Sequence, residues 1–411
     1  MYVPKKFVFV GHEVDLARGT AAFHYSIQSV QERQDFTERI YFPPVINQVS
    51  EAILKSMLDN LLLALGMSYW KLYCPEEISI TPFSLEKDQA NFWNTVYTKG
   101  LGEFFYKNKI DFRGLVNFPY EEGLSFQPTA ISLKNRALLG LGGGKDSIVV
   151  AELLKSKNKN FDLFTVGSSR IQKDVAEIIG KETITIERKI DEKLFELNRR
   201  GRVYNGHVPI SVIYAFLASF AGLLYGYNNI IVANEKSSNY GNVVYLGEEI
   251  NHQWSKSEEF ENLFSNYLKK YLTPNLSYSS YLRDYDELQV VEIFIKHKEY
   301  FPYFSSCNTN FKINEKRDGS SRWCGKCPKC LFVFILLSGF ISKEELLEIF
   351  NKNLFNDESL LPVFKELLGI KDFKPFECVG TPKEVTTALD MAYKRGELNN
   401  TILMKFYKDE T

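Results

Sequence analysis

The stretch from Ala137 to Lys155, ALLGLGGGKDSIVVAELLK, constrains this chain more than any other, because it writes a short strand, a glycine turn and a helix start in succession. Ala137 to Leu141 is a short apolar run suited to a buried strand. Ser147 to Leu154 has the length and apolar content of a helix packed on a sheet. Between them Gly142, Gly143 and Gly144 let the backbone turn sharply and bring bare N–H groups up to an anion. The helix N-terminus favours the same anion through its unpaired donors and its dipole, so the expected guest is a phosphate.

The spacing decides which phosphate loop this is. A Walker loop needs Ser or Thr after its lysine, and here Asp146 follows Lys145. A dinucleotide-binding Gly-x-Gly-x-x-Gly also fails, since Asp146 and Ser147 fall where its third glycine belongs. Gly142 to Ser147 instead resembles the Ser-Gly-Gly-x-Asp-Ser loop of the PP-loop ATP pyrophosphatases, with Gly142 standing where that superfamily usually has Ser. The resemblance implies that Gly142, Gly143, Gly144, Lys145, Asp146 and Ser147 hold ATP, cleaved between its α- and β-phosphates. A carboxylate at Asp146 makes sense as a holder of Mg²⁺ against the triphosphate. Lys145 occupies the variable position of that loop, where its charge either helps pyrophosphate leave or is solvated.

The chain has 411 residues, enough for two or three domains, and its 45% apolar and 25% charged residues are the mix of a folded protein. With 50 basic against 51 acidic residues there is no global field to hold a polyanion, so no nucleic-acid partner is expected. The N-terminus shows no signal-peptide cleavage site, which points to the cytoplasm. Ile210 to Tyr227 carries no charge, but its Ser211, Ser219, Gly222 and Gly226 and the Asn228-Asn229 pair that follows fit a helix buried against a sheet better than a membrane span.

Residues 1–128 read as an α+β domain. KFVFVGHEV, AAFHYSIQSV and FTERIYFPP suggest a small antiparallel sheet with breaks at Ala17-Arg18-Gly19 and around Gln31 to Gln34. Val45 to Leu65 has helical apolar spacing ended by Gly66, and Glu86 to Lys107 forms a second helical stretch. Its Phe92, Trp93, Tyr97, Phe104 and Phe105 read as core, with a stacking site for a nucleobase or sugar as the alternative. Residues 129–306 alternate strand and helix, the pattern of an α/β parallel sheet. The candidate strands are Ala137 to Leu141, Asp162 to Val166, Thr183 to Glu187, Asn229 to Ala233 and Phe301 to Ser305.

Ligands of such sheets bind outside the carboxyl ends of the strands. Ser169 and Arg170, after the second strand, are therefore expected near the adenosine. The polar run Asn234, Glu235, Lys236, Ser237, Ser238, Asn239, Tyr240 and the later segment holding His252 and Trp254 should face the substrate. Asn234, Ser237, Asn239, Tyr240 and Trp254 are candidate substrate contacts, and Glu235, Lys236 and His252 candidate proton carriers.

Four of the six cysteines cluster as Cys307, sixteen residues, Cys324, two, Cys327, two, Cys330. That spacing gathers four thiolates round one ion, the closed tetrahedron of structural Zn²⁺, although an iron–sulfur cluster uses the same ligands. Cys378 lies outside the cluster in the loop Phe376-Glu377-Cys378-Val379-Gly380-Thr381, where it could present a thiolate as a catalytic base or rest as a buried thiol.

A Ser-Cys followed by Cys-Gly-x-Cys-x-x-Cys also resembles the 7-cyano-7-deazaguanine synthases of the PP-loop superfamily. More of the chain resembles another family. WNTVYTKGLGEFFYKNKID, LGGGKDS, NGHVPIS, ANEKSSNYG, EINHQWSKS, the cysteine cluster and KPFECVGT, in this order, are similar to the UDP-N-acetylmuramoyl-L-alanyl-L-glutamate epimerase family. The resemblance implies a PP-loop (adenine nucleotide alpha hydrolase-like) core at 129–306 and a zinc-bearing helical C-terminal region at 307–411. It implies ATP-dependent inversion of the terminal L-Glu of a UDP-muramoyl dipeptide in peptidoglycan synthesis, with AMP and pyrophosphate released. An L-glutamate-adding muramoyl-peptide ligase is the implied functional partner. Two other readings stand beside it: a PP-loop enzyme that amidates or thiolates a small acid or base, and a nucleotide-binding regulator without turnover.

Overall fold

The structure, a computed structural model, describes residues 4–30, 32–45, 50–311, 322–371 and 373–410. Its strands are β1 (Lys6–Asp15), β2 (Thr20–Gln28), β3 (Arg33–Tyr41), β4 (Glu77–Ile80), β5 (Lys134–Gly140), β6 (Phe161–Val166), β7 (Thr183–Lys189), β8 (Tyr227–Val232), β9 (Val243–Tyr245), β10 (Glu248–Ile250) and β11 (Ser277–Ser280). Nine of them form one sheet in the order β11-β8-β5-β6-β7-β3-β2-β1-β4, while β9 and β10 pair as a separate hairpin. β11 to β7 run parallel, β7, β3, β2 and β1 pair antiparallel, and β4 returns parallel to β1. The result is a mixed, mostly parallel α/β sheet.

The three N-terminal segments thus form the expected antiparallel strands, and these extend the parallel sheet through β3 against β7. Ile40 pairs with Arg188 there, and Arg188 reaches the fully buried Glu38 and Ser68 Oγ at 2.9 Å. A charge-assisted pair of this kind satisfies two groups that would otherwise be costly to bury at the seam. Along β1 and β2, Phe7, Phe9, Phe23, Tyr25 and Ile27 are buried beneath the helix Glu51–Trp70. That helix does not end at Gly66: it continues to Trp70, and Gly66 lies in its interior, where a Cβ would meet Phe9 Cε1 at 2.4 Å. The glycine is there for close approach to the strands rather than as a stop. Residues 46–49, in the N-terminal turn of the expected helix, lie outside the described residues, as does Gln31 of the second expected break.

The second helical stretch breaks at Leu101 into Lys87–Gly100 and Gly102–Asn108. Its aromatics are core: Phe92 stacks on Tyr267 with centroids 3.9 Å apart and Trp93 on Phe216 at 5.1 Å. Pairs like these add about 0.5–1.5 kcal/mol each beyond their burial.

Alternation along the parallel strands divides the core. Leu138, Phe164 and Ile230 face the N-terminal helices and the apolar helix Ile210–Tyr225, whereas Leu139, Leu163 and Ile231 face the C-terminal helices, among them the buried Pro328–Ser338. Ile210 to Tyr225 is therefore a helix packed on the sheet, and no helix among the described residues is long and apolar enough to cross a membrane.

Phe301 to Ser305 is not a strand. It runs as turns, with Pro302 unable to donate to a ladder, and the edge position beside β8 belongs to β11. Because β6 and β8 flank β5 on opposite sides, the sheet reverses its winding at the carboxyl end of β5, the place where open α/β sheets bind ligands. The glycine turn and the segment after β8 meet there.

Candidate active site

The turn after β5 caps the helix Lys145–Ser156. Gly143 is left-handed at φ +84°, and a Cβ on it would meet Ile171 Cγ2 at 2.7 Å. No other residue type fits that position without strain. Gln172 Nε2 donates to Leu141 O at 3.1 Å and Ser305 N–H donates to Gly143 O at 3.0 Å, so the turn is braced from both sides. Gly142 faces open space, while Gly144 lies against Ser306, whose Oγ is buried and has no partner. Ser147 Oγ is turned inward to Gly144 O at 3.1 Å.

Lys145 is not solvated. Its ammonium is 1% exposed and touches both Asp146 and the fully buried Glu287. Burial opposes its charge, and the two carboxylates outweigh burial and hold Lys145 well above the ordinary lysine range. Burial pushes Glu287 up to about 7 despite Lys145. Asp146, opposed by its own burial, is held below the usual carboxylate range by Lys145, Lys329 and Lys256. Glu235, buried, lies within the field of Lys145 and Lys256.

Lys256 joins this cluster to Cys378. Its Nζ lies 3.2 Å from the thiol sulfur, and His252 Nε2 stands 3.9 Å from the same atom. On the far side His252 Nδ1 hydrogen bonds Glu103, which also meets His207 Nδ1 at 3.2 Å and Lys107 at 2.5 Å. Burial would raise the Cys378 thiol, yet Lys256 and His252 outweigh it and hold the group down at about 5. Burial likewise opposes charge on His252, and Cys378 and Glu103 override it and raise the imidazole to about 9. His207, burdened by burial and by its neighbour His252, falls to about 3. At neutral pH the arrangement is a thiolate, an imidazolium and a carboxylate in line. Such a thiolate is poised as a proton acceptor or nucleophile.

Cys378 is held in place by its backbone. Lys329 Nζ donates to Cys378 O, Gln253 Nε2 to Val379 O at 3.2 Å, and Asn242 Nδ2 to Lys374 O and Pro375 O at 3.1 and 2.8 Å. Arg283 bridges the carbonyls of Glu235 and Lys256 at 3.2 and 2.8 Å, which fixes the two rim segments to each other.

Of the residues singled out in the sequence, Asp146, Lys145, Glu235, His252 and Cys378 therefore come together. Others stand apart. Lys236 and Tyr240 are exposed, Ser169 caps the helix Arg170–Ile179, and Arg170 points to solvent beside Asp174. Asn234 N–H is tied to Ser280 Oγ at 2.8 Å, and Ser237 Oγ donates to Glu235 at 3.4 Å. Asn239 and Trp254 line a cleft of about 910 Å³ on the outer side of the His252 segment. Glu248, Glu249, Glu258 and Glu259 line that cleft together with Lys99 and Arg113, an excess of negative charge ill suited to a diphosphate. Glu103, Lys256, Glu287 and Lys329 were not singled out in the sequence, although Glu103, Lys256 and Lys329 lie inside family-like stretches.

The four clustered cysteines converge beside the glycine turn, one residue beyond Ser306. Their sulfurs lie within 4.8 Å of one another, with Cys324 to Cys330 at 3.7 Å and Cys327 to Cys330 at 3.4 Å. They can hold a metal ion. The spacer at 312–321 lies outside the described residues.

The family model for the MurL N-terminal domain matches residues 2–281, and that for the MurL C-terminal domain matches residues 303–411. The chain is 35% identical over 404 residues to the UDP-N-acetyl-alpha-D-muramoyl-L-alanyl-L-glutamate epimerase of Xanthomonas oryzae pv. oryzae, covering 98% of this chain and 89% of the relative. It is 34% identical over 409 residues to the protein of the same name from a Micromonospora species, covering 98% and 90%. A third of that name, from Salinispora tropica, is 34% identical over 389 residues, covering 94% and 84%. Matched along nearly its whole length, the chain belongs to the UDP-N-acetyl-alpha-D-muramoyl-L-alanyl-L-glutamate epimerase family.

Proposed function

We propose that this chain inverts the terminal L-Glu of UDP-N-acetylmuramoyl-L-Ala-L-Glu to D-Glu, with ATP as co-substrate, and that the PP-loop reading of Gly142 to Ser147 holds. The observation that carries the proposal is the contact of the phosphate turn with a thiolate through one buried cluster, Asp146 and Lys145 at one end and Lys256 and Cys378 at the other. Activation and proton transfer then occur at neighbouring points.

The free α-carboxylate attacks the α-phosphorus of ATP, and pyrophosphate departs toward the N–H groups of Gly143 and Gly144 and the helix behind them. Asp146 is the residue that would hold Mg²⁺, which supplies charge neutralisation on the triphosphate. The acyl adenylate no longer carries the carboxylate charge beside the α-carbon, so the α-hydrogen becomes acidic enough for a protein base. Cys378 takes that proton as the thiolate that Lys256 and His252 maintain, and Glu103 orients the imidazole. Reprotonation on the other face and hydrolysis give the D-epimer and AMP.

The proposed division into 1–128, 129–306 and 307–411 gives each part a share: Glu103 from the first, Asp146 and His252 from the second, Cys378 from the third. Zinc fits the cysteine cluster, since a tetrahedron with Zn–S near 2.3 Å sets sulfurs about 3.8 Å apart, close to the observed 3.7 Å. Its role would be to fix Cys307, and with it Ser306, against the turn. The test is to incubate the protein with ATP and the UDP-muramoyl dipeptide while following AMP, pyrophosphate and glutamate configuration. Inversion without AMP sinks the adenylate, and a nitrogen- or sulfur-containing product sinks the epimerase.

A further inference from the structure

Among the described residues, five buried polar atoms around this cluster have no hydrogen-bond partner: His207 Nε2, Gln253 Oε1, Glu287 Oε1, Ser306 Oγ and Lys374 Nζ. The last is the costliest to leave so, because an unpaired buried ammonium loses its solvation with nothing to replace it. Of the other lysines that reach this cluster, Lys145 is taken by Asp146 and Glu287, Lys256 by Cys378 Sγ, and Lys329 by Cys378 O. Among the described residues, Lys374 Nζ has no hydrogen-bond partner. It feels the charges of Glu235, Cys378, Glu384 and Glu287 yet hydrogen bonds to none of them.

Lys374 and Cys378 are presented by one short loop, pinned to the sheet rim at both ends by Asn242 and Gln253. Inversion at a held α-carbon needs a proton removed from one face and another delivered to the opposite face. Cys378 serves one face only. We propose that Lys374 is the second proton carrier, giving the α-carbon its new hydrogen from the side opposite Cys378; this rests on the activated-glutamate reading above.

In the forward direction the Cα–H bond breaks, the proton passes to the Cys378 sulfur, and the electron pair moves into the enolate of the activated acyl group. A Lys374 N–H bond then breaks, its proton forms the new C–H bond, and its electron pair stays on Nζ. The thiol and the neutral amine are reset by exchange with solvent. Burial lowers Lys374 from the ordinary lysine value, against the pull of Glu235 and Cys378, which makes the ammonium a readier donor and the amine a usable base in reverse.

The test uses the full chain carrying Lys374→Gln, with ATP and the UDP-muramoyl dipeptide in D₂O. AMP should still form, deuterium should enter the α-position of recovered L-Glu through Cys378, and D-Glu should fall at least about 100-fold. From the D-epimer the same variant should show no exchange, and Cys378→Ala should show the mirror pattern. Lys374→Arg keeps the charge and should behave like Lys374→Gln, because a guanidinium does not release its proton, so it serves if the glutamine variant does not fold. Inversion by either variant at the wild-type rate overturns the assignment, as does a loss of L-side exchange equal to the loss of inversion while AMP persists. A wild-type enzyme that inverts glutamate without AMP removes the adenylate and leaves the exchange pattern to decide Lys374.

Discussion

Replacing Glu103 by Gln should separate the proposed proton chemistry from the proposed ATP cleavage. The glutamine keeps an oxygen to accept from His252 but removes the charge that helps hold the imidazole near 9 instead of its ordinary 6.5, a difference of roughly 3 kcal/mol. Burial opposes that shift; Cys378 and Glu103 together outweigh it, Glu103 through one charge-assisted hydrogen bond worth about 1.5–3 kcal/mol. Losing it should slow α-hydrogen exchange roughly 10- to 100-fold at neutral pH. The pH profile should shift as well. In the wild type the thiolate is present above about 5 and lost as pH falls through that value, while the imidazolium is present below about 9 and lost as pH rises through it. In Glu103→Gln the alkaline limb should move down while the acid limb, set by Lys256 and a still-protonated His252, should stay in place, narrowing the plateau. The assay is α-hydrogen exchange and AMP formation measured in parallel. An unchanged exchange rate, or an equal fall in both quantities, refutes the relay.

Asp146→Asn should abolish AMP formation with the circular-dichroism spectrum and melting temperature little changed; near-normal AMP formation counts against the phosphate loop. Cys327→Ser, or chelation, should lower the melting temperature before it alters the chemistry, since a closed four-thiolate site has no open position for water. Freshly purified protein with neither zinc nor iron contradicts that.

The glycine turn was legible because its information is local: three glycines, a strand and a helix start lie within one short stretch. The parallel strands beside it were legible for the same reason, as apolar runs of strand length. Phe301 to Ser305 misled because an aromatic run looks like a strand whether it pairs or braces a loop, while the true edge strand, Ser277–Ser280, is SYSS and carries almost no apolar signal. Gly66 read as a helix stop because sequence shows a missing side chain, not the Phe9 ring that fills its place. Cys378 and His252 were visible as reactive types. Their partners were not: Glu103 is 149 residues from His252, and Lys256 is 122 residues from Cys378. Contacts of that span depend on how β3 docks on β7 and how the C-terminal loop closes over the rim. No periodicity encodes them.

The most direct test of the account is the isotope at the inverted carbon. D-glutamyl product made in D₂O with ATP should carry one deuterium at its α-carbon in every molecule, because the new hydrogen comes from solvent-exchangeable groups. Product that retains its original α-hydrogen would contradict deprotonation and reprotonation at this site.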